Sequence, residues 1–159
     1  SYEQLLEFDG YINVHKSIAE LNVLVAQGDF GQNELTGNEV SYDLAAVSNA
    51  AIFGTATFSE RVNKETLVTL ELVGTTAGSI HPAHIHTGAV ADAPGAVIVT
   101  LGNVIGDNGI SVTNVTQLDA GGALDYDALL AIDGYINVHL SSEDLATLVA
   151  QGNVGANVN

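Results

Sequence analysis

The sequence predicts an all-β fold, a β-sandwich or barrel that carries one or two short helices. Two observations lead to this prediction. Short stretches of alternating or β-branched residues recur along the chain, and turn signals rich in Gly, Asn and Asp separate them at spacings of roughly 8–12 residues. The hydrophobic content of 47%, together with 17 glycines, is typical of a folded globular domain and argues against a disordered chain.

The clearest strand covers residues 66–73 (TLVTLELV), which are rich in β-branched side chains and alternate with a period of two. Such a pattern is typical of a strand with one buried face. The other predicted strands are 51–58, 79–86, 96–101, 110–115, 135–139 and 149–154.

Two short helices are predicted near the C-terminus. The first covers residues 126–131, with Asp125 as its N-terminal cap. The second covers residues 142–148, with Ser141 or Ser142 as the cap and acidic residues in the first turn, where the helix dipole favours them.

The two ends of the chain are copies of each other. Residues 2–33 and 126–157 align without a gap at a separation of 124 positions, and 19 of the 32 pairs are identical. A period of this length corresponds to a whole domain. We therefore expect residues 1–33 to be the C-terminal segment of a preceding repeat and residues 34–159 to be one nearly complete β-sandwich module.

The alternative is that the N-terminal tail joins subunits by reaching a neighbouring copy. The chain contains no Met, so we expect it to be a processed or cropped piece of a longer, repetitive protein. Neighbouring repeats or identical subunits are then the expected partners, as in a homo-oligomer or fibre.

The charge of the chain limits its other partners. The formal net charge is −16, and Lys16, Arg61 and Lys64 are its only basic side chains apart from histidine. Such a surface repels the nucleic acid backbone and anionic membranes, and no apolar run is long enough to insert into a bilayer. We expect a secreted or cell-surface protein, whose acidic surface serves solubility or attracts cations.

The five histidines fall in two motifs. Three lie in HPAHIH, residues 81–86, and the other two, His15 and His139, hold matching positions in the repeated sequence YINVH. The chain has no cysteine, which excludes disulfides and thiolate metal sites.

His84 and His86 are two residues apart on a predicted strand, so their side chains point to the same face, about 7 Å apart. Ile85 points to the opposite face. His139 can supply a third imidazole from a neighbouring strand, and such a set suits copper, zinc or nickel. The alternative is that these rings simply bond to backbone carbonyls.

The remaining candidates are less specific. His81 is either a fourth ligand or a structural hydrogen-bonding residue, and the partner of His15 is expected in a preceding repeat or another subunit. Tyr135 and Asn137 are expected to pack beside the site. The Gly- and Asp-rich turn at 106–109 could hint at calcium, but such residues are also explained by turn geometry.

Four segments resemble the CHRD (chordin-type) domain family: GTATF at 54–58, HPAHIHTG at 81–88, YINVH at 135–139 and LVAQGNVG at 148–155. The resemblance covers nearly all of residues 34–159. Residues 1–33 match the end of another copy of such a domain.

A more distant likeness is to copper/zinc superoxide dismutases. GSIHPAHIHTG is similar to that family's H-G-F-H-V-H segment, and GYINVHLSSEDL is similar to its V-V-H-E-x-A-D-D-L segment. The likeness implies a Greek-key β-sandwich in which His84, His86 and His139 match copper ligands. His81 matches a histidine that is structural in that family.

The chain also departs from the dismutases. No histidine lies between residues 87 and 138, so the bridging histidine has no counterpart, and no Arg or Lys follows His139 to draw in an anion.

The leading hypothesis is therefore a secreted tandem-repeat module that binds a copper-type ion, with zinc as the second choice. The alternatives are a structural subunit of an extracellular fibre or surface layer, and a copper-only dismutase-like oxidoreductase. We expect binding more than catalysis.

Overall fold

The structure is a computed structural model that describes residues 1–158; Asn159, the last residue of the predicted module 34–159, lies outside the described residues. These residues confirm an all-β protein with a few short helices. The helices are α1 (Tyr2–Leu6) and α2 (Tyr126–Leu130), with a single 3₁₀ turn at Val90–Asp92. The strands are β1 (Asp9–Ser17), β2 (Glu20–Gly31), β3 (Leu35–Ala46), β4 (Phe53–Arg61), β5 (Thr66–Val73), β6 (Ile80–Thr87), β7 (Val97–Ile105), β8 (Ile110–Val115), β9 (Asp133–His139) and β10 (Leu148–Gly155).

Eight of these strands close into an antiparallel barrel in the order β10-β3-β4-β5-β8-β7-β6-β9. Two of its seams are short. β10 pairs with β3 at Ala150–Ala46 and Gln151–Ala45, and β7 pairs with β8 at Ile105–Ile110. These seams divide the barrel into two four-stranded halves. β1 and β2 form a separate two-stranded sheet.

The core of the barrel follows from the alternation that the sequence predicts. On β5, Val68, Leu70 and Leu72 are buried, whereas Glu71 and Val73 are exposed. Phe58 on the neighbouring β4 is also fully buried, in the same apolar cluster. Burying each such side chain stabilises the fold by about 1.5–3 kcal/mol. Among residues 1–158, no helix has the length and hydrophobicity needed to cross a bilayer.

The predicted strands at 66–73 and 110–115 are confirmed at both ends, and the other predicted strands begin and end within a few residues of the observed ones. The helix at 126–130 is also confirmed, with the Asp125 carboxylate accepting a hydrogen bond from the Ala128 amide at 2.8 Å. The long strand β3 was not predicted.

The predicted helix at 142–148 is wrong, because residues 140–147 form an irregular loop. The Asp144 carboxylate accepts hydrogen bonds from the amides of Ala146 and Thr147 and from the Thr147 hydroxyl. An Asp side chain that bonds nearby backbone in this way competes with helix formation. The loop lies next to the histidines and takes part in the site described below.

Candidate metal centre

The first two histidines of the site lie on β6. The strand alternates, so Ile85 is fully buried in the barrel core while His84 and His86 point to the outer face. Their ring centroids are 6.0 Å apart.

The third histidine comes from β9, which pairs antiparallel with β6. Asn137 lies directly opposite His84, so His139, two residues further on, is a diagonal neighbour on the same face and within side-chain reach. The centroid of the His139 ring is 5.0 Å from that of His84 and 6.5 Å from that of His86. One ring nitrogen from each histidine lies within 4.8 Å of the others, a spacing that could hold a metal ion.

Two backbone carbonyls fix the orientation of the buried rings. The Nδ1 atom of His139 is 2.7 Å from the Leu145 carbonyl oxygen, and Nδ1 of His86 is 3.0 Å from the Gly95 carbonyl oxygen. Carbonyls only accept, so Nδ1 carries the proton in both rings and Nε2 presents a lone pair. Metal-binding histidines are usually oriented through their second nitrogen in this way.

The free nitrogens fit an ion. Nδ1 of His84 is 3.0 Å from Nε2 of His139, and two nitrogens bound to one ion at about 2.0–2.1 Å lie roughly 2.9–3.3 Å apart. The Nε2 atom of His86 is buried without a hydrogen-bond partner among the described residues, as is Oδ1 of Asn137. Buried polar atoms are rarely left unpaired, so Nε2 of His86, which belongs to the cluster, points to a ligand at this place. Oδ1 of Asn13, at the position that matches Asn137 but apart from the cluster, is also unpaired, so the Asn137 oxygen does not by itself indicate a ligand.

Tyr135 contacts both His86 and the segment that orients it. Its ring stacks on His86 with centroids 5.0 Å apart and planes inclined by 14°, and its hydroxyl accepts a hydrogen bond from the Gly95 amide at 2.8 Å. Gly95 is thus held by Tyr135 through its amide while its carbonyl holds His86. This agrees with the prediction that Tyr135 packs beside the site.

The environment of the site favours the neutral form of two of its imidazoles, those of His84 and His139. Burial lowers the pKa of His84, and the nearby rings of His139 and His86 lower it further. Burial also lowers the pKa of His139, against the opposing effect of its hydrogen bond to the Leu145 carbonyl. Neutral imidazole is the form that binds a metal ion.

A cavity of about 390 Å³ opens beside the histidines. Its walls come from the segment that contains Pro94 and from the 140–147 loop, both of which also carry the orienting carbonyls. A small exogenous ligand or water can therefore approach the position that three protein ligands would leave open. The lining residues are His86, Ala93, Pro94, Tyr135, Asn137, His139, Leu145, Ala146 and Leu148.

The other two predicted site residues lie elsewhere. His81 is buried, and its Nδ1 donates to the His139 carbonyl oxygen at 3.0 Å while its Nε2 lies 2.8 Å from the Ser79 hydroxyl. Both of its nitrogens are engaged, so it braces the strand that carries His139 instead of joining the three-histidine cluster. His15 lies on the exposed strand β1, apart from the cluster.

The basic side chains of this acidic chain are engaged in ion pairs. The three Lys and Arg side chains are all paired with carboxylates, in the pairs Lys16–Glu20, Arg61–Asp29 and Lys64–Glu60.

The turn that hinted at calcium has a structural explanation, because Oδ1 of Asp107 accepts from the Gly78 amide and Oδ1 of Asn108 accepts from the Ile110 amide.

Sequence reasoning did not find the carbonyls of Leu145 and Gly95. Backbone groups carry no residue signature, and the loop that supplies one of them was predicted as a helix. The Pro94-Gly95 turn was visible in the sequence, but its role beside His86 was not.

No known family model matches this sequence, and a search of curated proteins finds no match either.

Proposed function

We propose that the barrel is a metal-binding module that holds one copper-type ion through His84, His86 and His139. The observation that carries the proposal is the convergence of three imidazole nitrogens within 4.8 Å, one of which is buried with no other partner. The carbonyls that orient His86 and His139 support the proposal further, since they turn Nε2 of both rings toward the shared space.

Copper is the first choice of metal and zinc the second. The donor set consists of imidazoles alone, and among divalent first-row ions such a site binds copper most tightly. Zinc also accepts three imidazoles with an open fourth position. The net charge of −16 favours the approach of a cation over that of an anion, which supports ion binding more than superoxide dismutation.

The fold class supports the same proposal. The spatial order β9-β6-β7-β8 is consistent with a Greek key, in which three consecutive strands are followed by a fourth that returns beside the first. Together with the two four-stranded halves, this order favours a CHRD-like Greek-key sandwich. The repeated ends and the acidic surface favour a module of a secreted or cell-surface tandem-repeat protein.

Calorimetric titration of metal-free protein with Cu²⁺ and Zn²⁺ tests the proposal. We expect one ion per chain, and we expect His84→Ala or His139→Ala to weaken binding by about 100-fold or more, since even the loss of an outer contact to a ligand costs about 10–100-fold. His15→Ala is the matched control, because it removes a histidine outside the cluster. In the electron paramagnetic resonance spectrum of bound Cu²⁺, His84→Ala and His139→Ala should each remove the hyperfine coupling from one nitrogen ligand. Unchanged affinity in His84→Ala would refute the site, and a dismutation assay on copper-loaded protein separates binding from catalysis.

A further inference from the structure

The N-terminal unit, residues 2–33, repeats the closing unit of the barrel, residues 126–157, in three dimensions. Helix α1 stands 124 positions before helix α2. β1 pairs with β2 in the register that β9 uses with β10, from Asp9–Gly31 and Asp133–Gly155 onward. The strand pairing also shifts register at the same place in both units, beside His15 on β1 and beside His139 on β9.

The two units differ in burial. Ile136 and Val149 of the closing unit are 0% exposed, whereas their counterparts Ile12 and Val25 are 59% and 61% exposed. Similar sequences therefore form a barrel core at one end and an open apolar face at the other. The same contrast holds for Tyr126 and Tyr2, Leu129 and Leu5, Tyr135 and Tyr11, and Val138 and Val14.

The strand edges differ in the same way. β9 pairs with β6, and β10 pairs with β3. Within residues 1–158, β1 and β2 pair with each other alone, so the outer edge of each presents unpaired backbone groups. An open edge beside an apolar face is a template for another sheet.

We propose that the N-terminal unit inserts into the barrel of a second copy of this chain, in place of that copy's own closing unit. The closing unit shows which surfaces would cover it. β2 would lie along β3 of the second copy with Ala26 opposite Ala46, as Ala150 does now. β1 would lie along β6 with Val14 opposite Ala83, as Val138 does now.

Within one chain the closing unit already fills this position. The carbonyls of Gln32 and Glu34 accept hydrogen bonds from the Asn63 and Val62 amides, and this holds the end of the N-terminal unit beside the start of β3, where Leu35 pairs with Arg61, and away from Ala46. A unit that keeps these contacts can fill such a position only in another molecule, so the recipient is a second copy.

Insertion of this kind joins different surfaces of two chains, a heterologous contact that continues head to tail into a closed ring or an open chain. Each chain has two units for one barrel, so an inserted unit competes with the recipient's closing unit. Where the proposed metal site exists, His15 would take the place of His139 beside His84 and His86 of the recipient. That consequence rests on the proposed function, whereas the insertion does not.

The matched pair Ile12 and Ile136 tests the proposal. Ile136→Asp places a charge in the barrel core, which should expel the closing unit and open the barrel to an intact N-terminal unit. We expect this variant to retain cooperative unfolding and to form concentration-dependent oligomers by light scattering. Ile12→Asp should remain monomeric, and the double variant should neither assemble nor unfold cooperatively. If Ile136→Asp behaves like the double variant, the N-terminal unit does not replace the closing unit and the proposal is wrong.

Disulfide trapping tests the register, because the natural chain has no cysteine. A recipient carrying Ile136→Asp and Ala46→Cys is mixed with a donor carrying Ala26→Cys, under oxidising conditions with a metal chelator present. We expect a covalent dimer on a non-reducing gel. A donor carrying Gln27→Cys is the control, since its side chain points to the opposite face. Equal trapping by both donors, or trapping by neither, would overturn the proposal without bearing on the metal site.

Discussion

The Nδ1 atom of His84 lies 3.0 Å from the Nε2 atom of His139, although the two residues are 55 positions apart in the chain. Because Nδ1 of His139 donates to the Leu145 carbonyl, its Nε2 has a lone pair and no proton. Without an ion, the Nδ1–H of His84 can donate a hydrogen bond to Nε2 of His139. If Nδ1 of His84 carries no proton, both nitrogens present lone pairs that can bind one ion. In both cases the fold holds these nitrogens at the spacing a metal needs before any metal arrives, which lowers the cost of binding.

Metal binding should raise the stability of the folded protein, because the unfolded chain does not bring the three imidazoles together. At a free ion concentration of 100 times the dissociation constant, the expected stabilisation is about 2.7 kcal/mol. Differential scanning calorimetry with and without Cu²⁺ measures this as a rise in Tm. The rise should vanish in His86→Ala and persist in His15→Ala. A rise of equal size in both variants would place the bound ion elsewhere.

Tyr135→Phe should weaken metal binding without removing a ligand. The variant keeps the ring that stacks on His86 but loses the hydroxyl that accepts from the Gly95 amide. The Gly95 segment then holds His86 less firmly, and loss of such an outer contact typically costs about 10–100-fold in affinity. Calorimetric titration gives the affinity. Tyr11→Phe is the control at the matching position of the N-terminal unit, and an equal loss there would contradict the role of Tyr135.

The histidine cluster could be predicted because two simple periods locate it. Residues two apart on a strand share a face, which joined His84 to His86, and the repeated YINVH motif singled out His139. The spacing of the residues alone could not distinguish His81 from the other three, since the distinction depends on where the His139 carbonyl and the Ser79 hydroxyl lie in space; only the likeness to the dismutases implied a structural role for it.

Two elements of the fold were misjudged for local reasons. The alternation of Tyr42 and Leu44, both buried, was a usable signal for β3, but polar residues around it obscured the pattern. The loop after β9 has the Ser and acidic residues of a helix start, yet Asp144 uses its carboxylate to close a turn. The opposite environments of the two repeated units follow from the pairing of β9 with β6 and β10 with β3, which no local pattern contains.

Metal affinity should be nearly constant in neutral solution and fall in acid. Burial lowers the pKa of His84 and His139, so both stay neutral as the pH drops to the ordinary range of histidine, near 6.5. At these two rings, protons compete with the ion only below that range. Titrations at a series of pH values, in buffers that do not bind metal, measure this. An affinity that falls steeply between about pH 8 and 7 would mean that the pKa values are raised, which would contradict the prediction.

Glu60 should make the free energy of unfolding depend on pH between its unfolded pKa of 4.5 and its folded pKa of about 2. Hydrogen bonds from Lys64, Asn38 and Thr36 lower the pKa of its carboxyl to about 2. A lowered pKa stabilises the fold above the unfolded value, near 4.5, and this stabilisation is lost as the pH falls toward 2. Urea unfolding as a function of pH should therefore show a shallower decline over that interval in Glu60→Gln. Identical slopes in the two proteins would contradict the lowered pKa.

The repeated helices provide a matched comparison of the same side chain in two environments. Leu129 on α2 is fully buried in the barrel core, whereas its counterpart Leu5 on α1 is half exposed. Leu129→Ala should lower the free energy of unfolding by about 2–5 kcal/mol, because it leaves a cavity in packed surroundings. Leu5→Ala should change it by less than about 0.5 kcal/mol in the monomer, since a surface truncation opens no cavity. Urea unfolding at low protein concentration measures both, and at high concentration a growing cost for Leu5→Ala would indicate that α1 has become buried in a second copy.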